Sequence, residues 1–301
     1  MASFLAGLNW TQVAKRSWHE TMSDDVFGRA AQLAFYFLLS LFPLMIFLLA
    51  IAGFFIGGPQ IQSALVNWLT KAMPGSASGL VQQVVNQTAN ASGSGKLSFG
   101  IVVALWSAST GMAAMINVLN AAFDVEEDRS WIGQRWTALW LTVVMGVFML
   151  VSVAIILFGN YLAGMLGGAI GLGSFMEILW EVVQWPLAIF LIVVAFGIVY
   201  RYAPNKPQPN WKWLTPGAVV GVLLWLIASF GFREYLHYFN NYSATYGSLG
   251  ALIVLMMWFY VTGIAILIGG EIDAVIEAAG GERTTLPARR DRQPVPSRGA
   301  A

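Results

Sequence analysis

The sequence predicts an all-α fold, a polytopic integral membrane bundle of about six transmembrane helices, and three observations predict it. Leu33 to Gly57 and Tyr246 to Gly270 each run about 25 residues without a charge, and a bilayer core needs about 20 apolar residues as helix. Charged residues make up only 10% of the 301 and hydrophobic residues 57%, against about 25% charged in ordinary soluble domains. Lys and Arg also fall almost entirely in alternate loops.

Residues 1–32 form the first segment. Trp10, Val13, Ala14 and Trp18 alternate with Lys15, Arg16 and Glu20 at helical spacing across 9–22. Two readings are open: an amphipathic helix on the inner leaflet, or a packed cytoplasmic cap. The mixed N-terminus and the long first run do not read as a cleavable signal.

The transmembrane domain is read over 33–276, with spans at about 33–57, 97–121, 137–166, 175–200, 213–232 and 246–270. The apolar Gly-rich turn at 164–173 leaves five or seven as alternatives. Between the first two spans, the external segment at about 58–96 carries two short amphipathic patterns parted by Pro74-Gly75. From 277 to 301 the chain is rich in Arg and Pro and lacks an apolar period, so a disordered cytoplasmic tail is expected. All but 3 of the 16 basic residues fall before span one, between spans two and three, between four and five, or after six. The exceptions are Lys71, Lys96 and Arg233. This asymmetry puts both termini in the cytoplasm and supports an even helix count.

Cys is absent and His occurs twice. Disulfides, thiolate metal sites and a His-rich metal centre are thereby excluded, and no cofactor, metal or catalytic constellation is expected. Polar groups within spans are costly and therefore the first candidates for function. Pro43 sits near the middle of span one, where it removes a backbone donor and should bend the helix, as a fixed kink or as a hinge. Asn117, Asn120 and Asp124 share one face of span two, either as a polar seam or as interhelical hydrogen bonds. Glu181 begins span four beside Trp180 and Trp185, solvated at the interface or buried as a proton or cation site. Arg233, Glu234 and His237 follow span five at helical spacing and lead into a Tyr- and Asn-rich stretch that suits a headgroup or an aromatic belt. Glu271 and Asp273 close span six. A buried Glu271 would need a cation such as Arg29, Arg135 or Arg201, and a structural ion pair is the plainer alternative.

Several stretches together carry a resemblance. They are Ala30-Ala31-Gln32-Leu33-Ala34-Phe35-Tyr36-Phe37-Leu38-Leu39-Ser40-Leu41-Phe42-Pro43, Tyr202-Ala203-Pro204-Asn205, Thr215-Pro216-Gly217-Ala218, Tyr246-Gly247-Ser248-Leu249-Gly250-Ala251 and Gly270-Glu271-Ile272-Asp273-Ala274. In order and spacing over about 10–280 they resemble the YihY/BrkB family of bacterial inner-membrane proteins, with Asp273 standing where that family usually has Asn. The resemblance implies a six-helix inner-membrane fold, and labels within the family range from ribonuclease (ribonuclease BN) to virulence and serum resistance. The residues argue against a nuclease. A metal nuclease needs clustered carboxylates or His beside a basic surface, whereas Asp124, Glu126, Glu127 and Asp128 form a short acidic loop that would repel RNA. No nucleic-acid partner is expected.

The leading expectation is a transporter or flippase of a lipid or another amphiphile of the envelope, with membrane lipids as partners. No Walker-type loop is present to bind a nucleotide. The alternative is a non-catalytic envelope scaffold that binds partner proteins, and an intramembrane enzyme ranks third. Small residues on spans two and three allow a homo-oligomer but pack equally well within one chain.

Overall fold

The computed structural model describes residues 9–56, 96–169, 173–206, 215–238 and 249–281. Among them the fold is all-helical: α1 Trp10–Ser23, α2 Val26–Ile56, α3 Lys96–Ala122, α4 Trp131–Ala169, α5 Gly173–Tyr202, α6 Pro216–Tyr238 and α7 Leu249–Gly281. Six of these, α2 to α7, are long and apolar enough to cross a bilayer, so the protein is a multi-pass membrane protein. The external segment at 58–96, apart from Lys96 at the start of α3, lies outside the described residues, as does the aromatic stretch after Tyr238.

Several boundaries differ from the sequence reading: α4 begins at Trp131 rather than at 137, and α6 runs to Tyr238 rather than to 232 and so contains Arg233, Glu234 and His237. Span one begins at Val26 rather than Leu33 because the turn after α1 is only two residues long. Asp25 makes it with φ 51°, a left-handed conformation that Asp tolerates better than most residues. The last helix continues through Glu271 and Asp273 to Gly281, so the boundary drawn at 277 falls inside it. The remainder of the tail lies outside the described residues.

The six spans form a ring in chain order, each packing on the next, and α7 closes the ring on α2. The side carrying Arg129 and Lys206 is called the basic end below. There all six spans share one dry core, including Val26 and Leu33, Ile116 and Leu119, Leu141, Val194 and Tyr200, Ala218 and Val222, and Leu267. Toward the other end that core divides. Phe47, Leu48 and Ala104 form one cluster, and Ala34, Leu255 and Phe259 another.

The α5–α6 contact is the least extensive in the ring. Every buried residue of α6 lies in its first two turns, at Gly217, Ala218, Gly221 and Val222. On α5, no described side chain between 175 and 192 is buried. These two helices therefore bury residues at the basic end and leave the described side chains of their other halves partly or fully exposed.

Candidate functional site: a polar latch at the basic end

The basic end is held by polar bonds between helices whose core is otherwise apolar. Two glycines of α6, Gly217 and Gly221, lie one turn apart and face Gly269 of α7. A Cβ on Gly217 would strike the Gly269 carbonyl oxygen and the Asp273 carboxyl carbon. Small residues at this spacing let helix backbones approach closely. The Tyr200 side chain of α5 enters the same contact, fully buried, and its hydroxyl donates to the Ile266 carbonyl at 2.6 Å. Tyr200 thus ties α5 to α7 at the basic end.

Asp273 is 3% exposed, and its Oδ1 accepts the Gly217 N–H at 2.7 Å. Gly217 lies in the first turn of α6, where backbone donors have no helical partner. The Asp273 side chain therefore caps α6 from the neighbouring helix. Thr215 caps it locally, accepting the Ala218 N–H at 3.2 Å, and Pro216 starts the helix where its missing donor costs nothing.

A second set of bonds holds the chain just after α5 against α3 and the loop that follows it. Asn120, 5% exposed, donates from Nδ2 to Glu127 at 2.8 Å and accepts the Asn205 N–H at 2.8 Å. Arg129 grips Glu127 with two bonds of 2.6 and 2.7 Å, and its Nη2 also donates to the Ala203 carbonyl at 2.8 Å. Asn205 Nδ2 returns to the Glu126 carbonyl at 3.0 Å. Burial alone would raise the Glu127 pKa, but the bonds from Arg129 and Asn120, together with the Arg129 charge, hold it below its ordinary value. Lys206 then reaches α7, with Nζ 2.8 Å from Glu277 Oε2 and 3.7 Å from the Phe123 ring centroid. Burial lowers the Lys206 pKa, with the Glu277 carboxylate working in the opposite direction.

The candidates singled out in the sequence are dispersed by the structure. Asn120, Glu271 and Asp273 are buried at the basic end, Glu271 at 1% exposure. Arg29 donates to the Asp24 carbonyl at 2.6 Å, and the Arg135 guanidinium rests 4.1 Å from the Trp106 ring centroid. Asn117 and Asp124 do not line a seam with Asn120, because both are exposed. Asn117 instead accepts from Gln134 Nε2 at 2.6 Å. Asp124 lies beyond the end of α3, with φ 51°, and the Val125 N–H closes that end on the Asn120 carbonyl. Helical spacing was carried one turn too far there. Pro43 lies half-buried inside α2, which continues through it. Glu181, Arg233 and His237 are exposed and Glu234 half-buried, all away from the latch.

Sequence reasoning did not pick out Tyr200, Gly217, Gly221, Glu127, Arg129, Asn205 or Lys206 as site residues. The Gly-x-x-x-Gly spacing of Gly217 and Gly221 was the readable signal for two of them. Among the described residues no three His, Asp or Glu side chains stand close enough to hold a metal ion.

Comparison with known proteins places this architecture among relatives. The family model described as Virulence factor BrkB matches residues 17–294. YfkH of Bacillus subtilis (strain 168), whose name describes it as ribonuclease-like, is 40% identical over 260 residues, covering 86% of this chain and 92% of that protein. The UPF0761 membrane protein PSHAa0171 of Pseudoalteromonas translucida (strain TAC 125) is 25% identical, covering 91% of this chain and 88% of its own length. A UPF0761 membrane protein of Xanthomonas oryzae pv. oryzae (strain PXO99A) is also 25% identical, and the match covers 87% of this chain but only 60% of that longer protein. No solved structure matches the chain.

Proposed function

The chain belongs to the virulence factor BrkB family, and on that footing we propose that it moves a lipid or another amphiphile across the bacterial inner membrane, with both termini in the cytoplasm. The observation that carries this reading is the α5–α6 contact, the least extensive in the ring and buried only at the basic end. A seam between two spans that parts most easily would open directly to the bilayer. Acyl chains can remain in lipid while only a headgroup enters the protein, which suits a bundle with few deeply placed charges. The latch at the basic end of that seam would be the closed gate of such a path. The basic loops at the latch favour the cytoplasmic side.

The ribonuclease-like name of the Bacillus relative is not carried over. Water-activating metal chemistry needs clustered ligands, which the described residues do not offer. The acidic loop after α3 is already committed, with Glu127 held by Arg129 and Asn120. A second reading, a non-catalytic scaffold, is favoured by the dry core shared by all six spans at the basic end.

The test is scrambling of headgroup-labelled phospholipid and glycolipid in liposomes holding the purified protein, with RNA hydrolysis assayed on the same preparation. Scrambling above empty vesicles without RNA cleavage supports translocation. Folded protein that scrambles neither lipid shifts the reading to the scaffold, and cleavage of RNA overturns it in favour of the nuclease.

A further inference from the structure

The helix α1 has three faces, and only one is used by the bundle. Val13, Ser17, Glu20 and Thr21 are buried, with Val13 packed on Val275 and Ile276 of α7. Successive residues turn by about 100°, so Trp10, Ala14, Trp18 and Met22, spaced by four, form a separate stripe. Trp10, Trp18 and Met22 are 50%, 61% and 48% exposed, an apolar surface that the bundle leaves to its surroundings. The third face carries Gln12, Lys15 and His19, all exposed.

We propose that α1 is an interfacial helix that seats on an anionic lipid leaflet, its Trp10–Met22 stripe at the acyl boundary and Lys15 among the headgroups. Two observations select lipid over other occupants. Phe27 and Phe35 of α2, 39% and 49% exposed, lie at the beginning of the first span, which a two-residue turn joins to α1. An exposed apolar stripe on a helix tied so closely to a spanning one belongs at that membrane's boundary. Charge is the other: Lys15, exposed, stands one turn from Trp18. Basic side chains beside interfacial Trp draw a helix to anionic headgroups. This placement does not depend on what, if anything, the protein transports.

The chain lacks cysteine, so Ala14→Cys and Gln12→Cys each carry one fluorescent label on opposite sides of α1. The labelled full chains are placed in nanodiscs of phosphatidylcholine, with or without phosphatidylglycerol, and quenched by headgroup-level nitroxide lipid or by aqueous iodide. The expected result is several-fold stronger lipid quenching at position 14 and stronger iodide quenching at position 12. Phosphatidylglycerol should strengthen the contrast, and Lys15→Glu should weaken it. Equal iodide access at both positions would overturn the proposal. So would a label at 14 shielded from both quenchers with energy transfer between differently labelled copies, which would assign the stripe to a second copy of the chain.

Discussion

Gly217 and Asp273 show how little room the α6–α7 contact leaves. A methyl group on Gly217 meets backbone and carboxyl atoms that have nowhere to go, and overpacking of this kind costs about 1–3 kcal/mol. Gly217→Ala should therefore lower the unfolding midpoint in detergent, while Gly231→Ala, where nothing lies within 4 Å, should not. Asp273→Asn keeps an oxygen for the Gly217 N–H and should be nearly neutral. Asp273→Ala removes the acceptor from a buried helix end and should cost about 1–3 kcal/mol. Equal losses for Asn and Ala, measured by the same thermal unfolding, would place the role of Asp273 in its charge rather than in the cap.

Among the elements, the loop between α3 and α4 behaves as a hook whose strength depends on one carboxylate. The Glu127 pKa lies below its ordinary 4.5. Its stabilisation is therefore present above that value and is lost as pH falls through the lower folded value. Unfolding midpoints should drop on the acid side in wild type, and Glu127→Gln should flatten that limb; an unchanged limb would remove Glu127 from the hook. The spans themselves were legible because an uncharged run of bilayer length has few alternatives, as at 246–270. Their ends were less so. α2 begins seven residues before Leu33, where Gly28, a poor helix former, and the charged Arg29 interrupt the apolar run. The same limit hid the latch. Asn120 and Asp273 stood out as polar residues in apolar runs, but their partners Asn205 and Gly217 sit 85 and 56 residues away. Spacing within one helix says nothing about which loop folds back on it. Four of the stretches that carried the family resemblance nevertheless supply latch or buried basic-end residues: Ala30, Ala203 with Asn205, Thr215 with Gly217, and Glu271 with Asp273.

For the whole molecule, the ring latched at the basic end and weakest between α5 and α6 carries two expectations. The basic end should face the cytoplasm. In the cysteine-free chain, Ser130→Cys, in the exposed turn before α4, should react with a membrane-impermeant maleimide only in inside-out vesicles. Arg233→Cys, at the far end of α6, should react from outside intact spheroplasts. The reverse pattern would invert the topology. The latch should also limit the rate of movement, because the Tyr200 bond to Ile266 must part before the basic end can open. A buried neutral hydrogen bond contributes about 1 kcal/mol net, roughly a fivefold change in an equilibrium. The most direct measurement is lipid scrambling by Tyr200→Phe beside wild type in the same liposomes, since Phe keeps the ring and removes only the hydroxyl. The account requires wild type to scramble above empty vesicles and Tyr200→Phe to be faster by about fivefold. A folded Tyr200→Phe that scrambles no faster than wild type would contradict the latch as the gate, and no scrambling by either would contradict translocation itself.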